Sequence, residues 1–140
     1  MPELSQYKFV IVVLLMLVLG LAAVAKQRRL QRLSAGPWGG PSILLSVQGK
    51  SATIDYACAH GTIDGPLTFD SKGRFTWYGT HYVEGPGPTR IDQEAGSPAI
   101  YTGSIKRDTM TLTVKLLKTK ELIDTFTLKR NASVRIFKCK

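Results

Sequence analysis

"TMTLTVKL", Thr109 to Leu116, decides what kind of domain this chain builds. Met110, Leu112, Val114 and Leu116 alternate with Thr109, Thr111, Thr113 and Lys115. Strict alternation sends the apolar side chains to one face of a β-strand and the polar ones to the other. A helix would scatter the same residues around its circumference. Threonine, valine and other branched residues also suit a pleated, half-buried surface.

The neighbouring segments follow the same rule. Arg107 and Asp108 read as a hairpin turn that joins this strand to 99–105. Beyond it, 122–129 buries Phe126 and Leu128 while Thr125, Thr127 and Lys129 face water. Upstream, 74–83 lines up Phe75, Trp77, Gly79 and His81 on one face. It follows "DSKG" (Asp70 to Gly73), a tight turn with glycine where a positive φ is wanted. Further strands are expected at 42–48, 51–58 and 133–139, and at 61–69, where Gly65 and Pro66 force a bend and an edge or bulge. Only 84–98 is a long loop. Eight short strands with mostly short connections predict an all-β fold, a small eight-stranded antiparallel up-and-down barrel, because closure removes exposed edges. A β-sandwich is the alternative architecture.

The first 36 residues have a different composition. After an N-terminal tip, 1–8, "FVIVVLLMLVLGLAAVA" (Phe9 to Ala25) is 17 residues without a charge. As a helix it spans ~25 Å and has no polar face, which points to a transmembrane or signal helix. It is longer than the ~7–15 residues of a usual signal core, although Ala23 to Ala25 fit a cleavage site. A basic stem, 26–36, follows. There Lys26, Arg28, Arg29 and Arg32 are placed to meet anionic headgroups. The β-domain occupies 37–140. Net charge is +9, and the domain's own basic excess lies from Lys106 onward. The charge asymmetry around the apolar run favours a cytoplasmic domain. The cysteines argue the reverse.

Cys58 and Cys139 are the two cysteines, each at a strand end. If Tyr56 and Cys58, and Phe137 and Cys139, share inward faces, both sulfurs reach one rim of the barrel. Strands two steps apart are ~9.6 Å apart, beyond the ~7 Å limit between disulfide Cα atoms, so both ends must curl past the intervening strand. A disulfide is the expected outcome, and it implies an oxidising compartment. Zinc on Cys58, His60, His81 and Cys139 lacks the paired short spacings of a structural site. A Cys58 nucleophile with His60 as base lacks reach and an orienting partner. Both histidines are expected at the surface or rim. The expected location is the cell membrane, single-pass, with an extracytoplasmic domain; secretion or periplasmic release after cleavage is the alternative.

The pieces "WGG" (Trp38 to Gly40), "CAHGTI" (Cys58 to Ile63), "GRF" (Gly73 to Phe75), "TMTLTV" (Thr109 to Val114), "FTL" (Phe126 to Leu128) and "FKC" (Phe137 to Cys139) occur in this order. The pattern resembles a family of small uncharacterised bacterial exported domains that often carry a signal or lipoprotein leader. The resemblance implies an envelope location and no particular activity. The leader departs from it, having no lipobox cysteine and an unusually basic stem.

No carboxylate pair, glycine-rich phosphate loop, nucleophile elbow or metal cluster stands out, so neither catalysis nor a cofactor nor a metal is expected. A barrel of this size is either filled by side chains or holds one small ligand. Tyr56, Phe75, Trp77, Met110 and Leu112 are the candidates to line an apolar ligand site. The alternative is a protein-interaction module, an inhibitor or envelope assembly factor, that uses the 84–98 loop with Pro86, Pro88 and Arg90. Nucleic acid is not an expected partner: Tyr78, Tyr82 and Arg74 make too sparse a stacking surface.

Overall fold

The computed structural model describes residues 3–22, 29–85 and 95–139. Helix α1 covers Glu3–Ala22, and every side chain from Ser5 to Met16 is exposed. Ten strands follow: β1 (Gln31–Arg32), β2 (Gly36–Gly40), β3 (Ile43–Gln48), β4 (Ser51–Tyr56), β5 (Ala59–Asp64), β6 (Thr68–Phe69), β7 (Arg74–Val83), β8 (Ser97–Lys106), β9 (Thr109–Leu116) and β10 (Leu122–Arg130). Eight of them close into an antiparallel barrel in the order β10-β2-β3-β4-β5-β7-β8-β9. The expected all-β barrel with one N-terminal helix is therefore the observed fold. β1 and β6 form a separate two-stranded ribbon.

The strand count is as expected, but two members differ. "GPWGG", which precedes the first expected strand at 42–48, is β2 and closes the barrel between β3 and β10. The closure needs its glycines: a Cβ on Gly40 would run into the Thr127 carbonyl oxygen of β10. In the other direction, 133–139 is no barrel strand. β10 already fills the seam, and the chain beyond it runs as an extended tail. Asn131 N–H donates to Pro37 O at 2.8 Å, and Cys139 N–H donates to Ala57 O at 2.9 Å. The stretch 61–69 divides at the Gly65–Pro66 bend into β5 and β6, so β5 pairs with β7 and β6 pairs with β1. Cys58 lies in the bend after β4 rather than within a strand.

Alternation buries the inward residues of each strand. Ile43, Leu45, Ile54, Ile63, Tyr101, Met110, Leu112, Val114 and Leu128 have no accessible surface. Such an interior, if close-packed, makes each side chain worth roughly 1.5–3 kcal/mol of transfer free energy. The stem also contributes. Leu33 is buried, and its N–H donates to Leu67 O at 2.8 Å. Lys26 and Arg28 lie outside the described residues; Arg29 and Arg32 are exposed.

Candidate functional site

The barrel has two different ends. At the stem end the chain supplies its own stopper. Leu67 has no accessible surface beneath the β1–β6 ribbon, and Trp77 Nε1–H donates to Thr68 O at 2.9 Å. The Asp70 turn beside it is saturated. Its Oδ1 accepts from the backbone N–H groups of Lys72 and Arg74 at 2.9 Å each, and its Oδ2 from Arg74 Nε at 3.0 Å. The Arg74 backbone bond, ahead of its guanidinium, holds the Asp70 carboxyl below its ordinary range. A groove of about 500 Å³ opens here between Leu30, Thr68, Asp70, Arg74, Phe75 and Thr76. Phe75 stacks on Trp77 with ring centroids 3.8 Å apart.

At the opposite end the closure is covalent. Cys58 and Cys139, 81 residues apart, form a disulfide with their Cα atoms 5.0 Å apart. The expected bond is present, but not from inward faces. Both cysteines are exposed, as is Phe137, because the tail crosses the rim instead of entering the sheet. A polar cluster surrounds the bond. His60 Nδ1–H donates to Glu84 Oε1 at 2.8 Å, and Lys138 Nζ donates to the same oxygen at 2.9 Å. Lys138 also reaches Asp55 Oδ1 at 3.4 Å and Ala59 O at 3.3 Å. His60 lies flat on Tyr82, rings 4.8 Å apart. Partial burial pushes Glu84 up, but the bonds and charges of Lys138 and His60 outweigh it and hold the carboxyl below its ordinary range. Glu84 N–H donates to Cys58 O at 2.9 Å, so the tail, the disulfide and the start of the 84–98 loop meet at one place.

Inside that end the bonding is incomplete. His81, expected at the surface or rim, is only 4% exposed, because the β7 alternation that turns Phe75 and Trp77 inward turns it inward as well. Its ring sits 5.6 Å from Tyr56, which is 5% exposed and packs against Phe126 at 5.4 Å. Among the described residues His81 Nδ1 has no hydrogen-bond partner, and the Tyr56 hydroxyl, beside that of Tyr101, makes no well-formed bond. Each such group costs about 1–3 kcal/mol when left unpaired. Burial lowers the His81 pKa, as does His60, with Glu121 opposing; burial raises Tyr56, with Tyr101 adding to it. Both stay neutral near pH 7. The Tyr101 hydroxyl is satisfied: it donates to Thr80 O at 3.2 Å, and burial pushes its pKa up to about 12. Gly61 makes room for it, since a Cβ there would lie 2.6 Å from the Tyr101 oxygen.

The five candidate lining residues thus separate. Met110 and Leu112 are sealed in the core, and Trp77 is almost so. Phe75 opens on the stem-end groove, and Tyr56 stands at the Cys58 end. Pro86, Pro88 and Arg90 lie outside the described residues. Among those residues no group of three or more His, Cys, Asp or Glu side chains is placed to hold a metal ion. The architecture is that of a small side-chain-filled antiparallel barrel with a disulfide across one rim. Compared with known proteins, the chain matches no protein-family model, no curated protein and no solved structure.

Proposed function

We propose that this chain is a membrane-held, extracytoplasmic binding protein that performs no chemistry and binds a small apolar ligand at one end of its barrel, outside the filled core. The Cys58–Cys139 bond carries the reading. It is exposed, it joins distant parts of the chain, and such bonds persist in oxidising compartments. The uncharged run Phe9 to Ala25 supplies the anchor, and Lys26, Arg28, Arg29 and Arg32 lie against anionic headgroups. Large apolar side chains exposed all along Phe9 to Met16 favour a lipid surrounding. Among the described residues no helix is long and apolar enough to cross a membrane. The anchor therefore rests on the sequence run as a whole.

Protease shaving of intact cells or spheroplasts, with a C-terminal tag, tests the location. Loss of the tag and the absence of alkylatable thiols are expected. A protected tag with two free thiols overturns the reading. Native mass spectrometry of the purified protein then asks for a co-purified small molecule.

A second reading has its own support. His60 and Lys138 clamp Glu84 at the start of the 84–98 loop, while Gly96 at its far end packs on Thr80 and Tyr82. Anchored ends of this kind suit a loop that presents Pro86, Pro88 and Arg90 to an envelope protein. Deleting 86–94 abolishes binding of such a partner without unfolding the barrel if this reading holds.

A further inference from the structure

We propose that the Cys58 end of the barrel is the ligand site, and that the Tyr56 hydroxyl and His81 Nδ1 together receive one neutral hydrogen-bonding group carried by an apolar body. The proposal rests on the binding reading above and gives it a place and a chemistry.

Four observations converge. Both polar atoms are at least nine-tenths buried, neither makes a well-formed hydrogen bond among the described residues, and their rings lie 5.6 Å apart, tilted by 57°. Native interiors rarely leave such groups unpaired, and exceptions mark sites where something else completes the bonding. The rest of the interior has no room: Ile43, Ile54 and Tyr101 are fully enclosed. Only the tip of a ligand can therefore enter. Its body must stay at the mouth, where Val83 continues the inward side of β7 beyond the rim and is 73% exposed. Phe126, packed on Tyr56, offers a further apolar contact.

The chemistry of the tip follows from the two receivers. A tyrosine hydroxyl donates and accepts; a neutral imidazole nitrogen does one or the other by tautomer. An alcohol or a primary amide satisfies both at once. A carboxylate or an ammonium group would be stripped of water beside two neutral partners. The nearby polar side chains of His60, Glu84 and Lys138 are already engaged with one another.

Titration of the full chain in lipid nanodiscs, read by NMR of labelled histidine rings and backbone amides, tests this. Benzyl alcohol, toluene and benzoate are the probes. Benzyl alcohol should shift the His81 ring signals saturably, and benzoate should leave them still. Tyr56→Phe should weaken benzyl alcohol about fivefold. Toluene affinity should be the same in both proteins, which cancels partition into lipid. An unchanged amide spectrum establishes that the variant is folded. The proposal is overturned if benzyl alcohol and toluene bind alike, or if Tyr56 and His81 contact only a water molecule. Saturable shifts confined to Leu30 and Phe75 would also overturn it while leaving the binding reading intact. No saturable shift anywhere would remove both.

Discussion

The two ends of the barrel are closed by opposite means. At the stem end, Leu33, Leu67 and Trp77 pack beneath a ribbon of the same chain, and the polar groups beside them are bonded, Trp77 to Thr68 and Asp70 to its own turn. At the Cys58 end a covalent bond and an exposed ion cluster hold the rim, and two buried polar atoms are left over. One end is stabilised by burial and satisfied hydrogen bonds. The other is held by a crosslink and keeps spare bonding capacity. A domain can tolerate unsatisfied groups where a disulfide supplies stability.

Substitutions can break or sharpen this contrast. The largest effect should come from replacing both cysteines with alanine. Closing a loop of this length is worth about 4.5 kcal/mol in the chain-entropy model, so the urea midpoint should fall steeply and 131–139 should become the first site of proteolysis. Next is the stem end. Trp77→Phe removes buried volume and orphans the Thr68 carbonyl, and should cost about 2 kcal/mol by urea denaturation. The corresponding change at the other end should go the opposite way. Tyr56→Phe deletes an unpartnered hydroxyl, so ligand-free protein should gain up to about 1 kcal/mol. A loss of stability there would show that the hydroxyl is bonded after all.

Acid probes the Cys58 end by titration. His81 is held below its ordinary value of 6.5 in the folded state. The unfolded chain therefore binds a proton that the folded chain refuses. This contribution is fully present above pH 6.5 and shrinks as pH falls toward the folded value. A His81→Phe variant should show a flatter stability profile below pH 6.5. Glu84 is likewise depressed, from 4.5, so its contribution is present above that pH and is lost in stronger acid. The smallest effect should be Lys138→Ala. Its ion pairs are solvated, and the loss should stay below about 1 kcal/mol in thermal melts.

Much of this was legible in the residues. β9 and β7 alternate so regularly that their inward faces, Met110, Leu112 and Val114 and then Phe75 and Trp77, follow from spacing alone. The Asp70 turn was legible because aspartate and glycine stand where such a turn needs them. His81 shared the inward spacing, yet a polar residue near a strand end reads as a rim residue. Its burial depends on how far the neighbouring strands extend, which is not a local property. β2 was hidden for a different reason. Gly36, Pro37, Gly39 and Gly40 have little intrinsic strand preference; pairing with β3 and β10 makes them a strand. The tail shows the converse. The stretch 133–139 reads as a strand, but a barrel closed by β10 and β2 has no vacant edge to accept it.

By itself the sequence determined the all-β class, the eight-stranded barrel, the apolar N-terminal run and the pairing of Cys58 with Cys139, because each depends on spacing, composition or count. Only the tertiary structure decided which segments close the ring, that the tail straps the rim, and that Tyr56 and His81 meet unpartnered inside it. Those outcomes depend on which strands come together around the barrel, and no local stretch of chain encodes them.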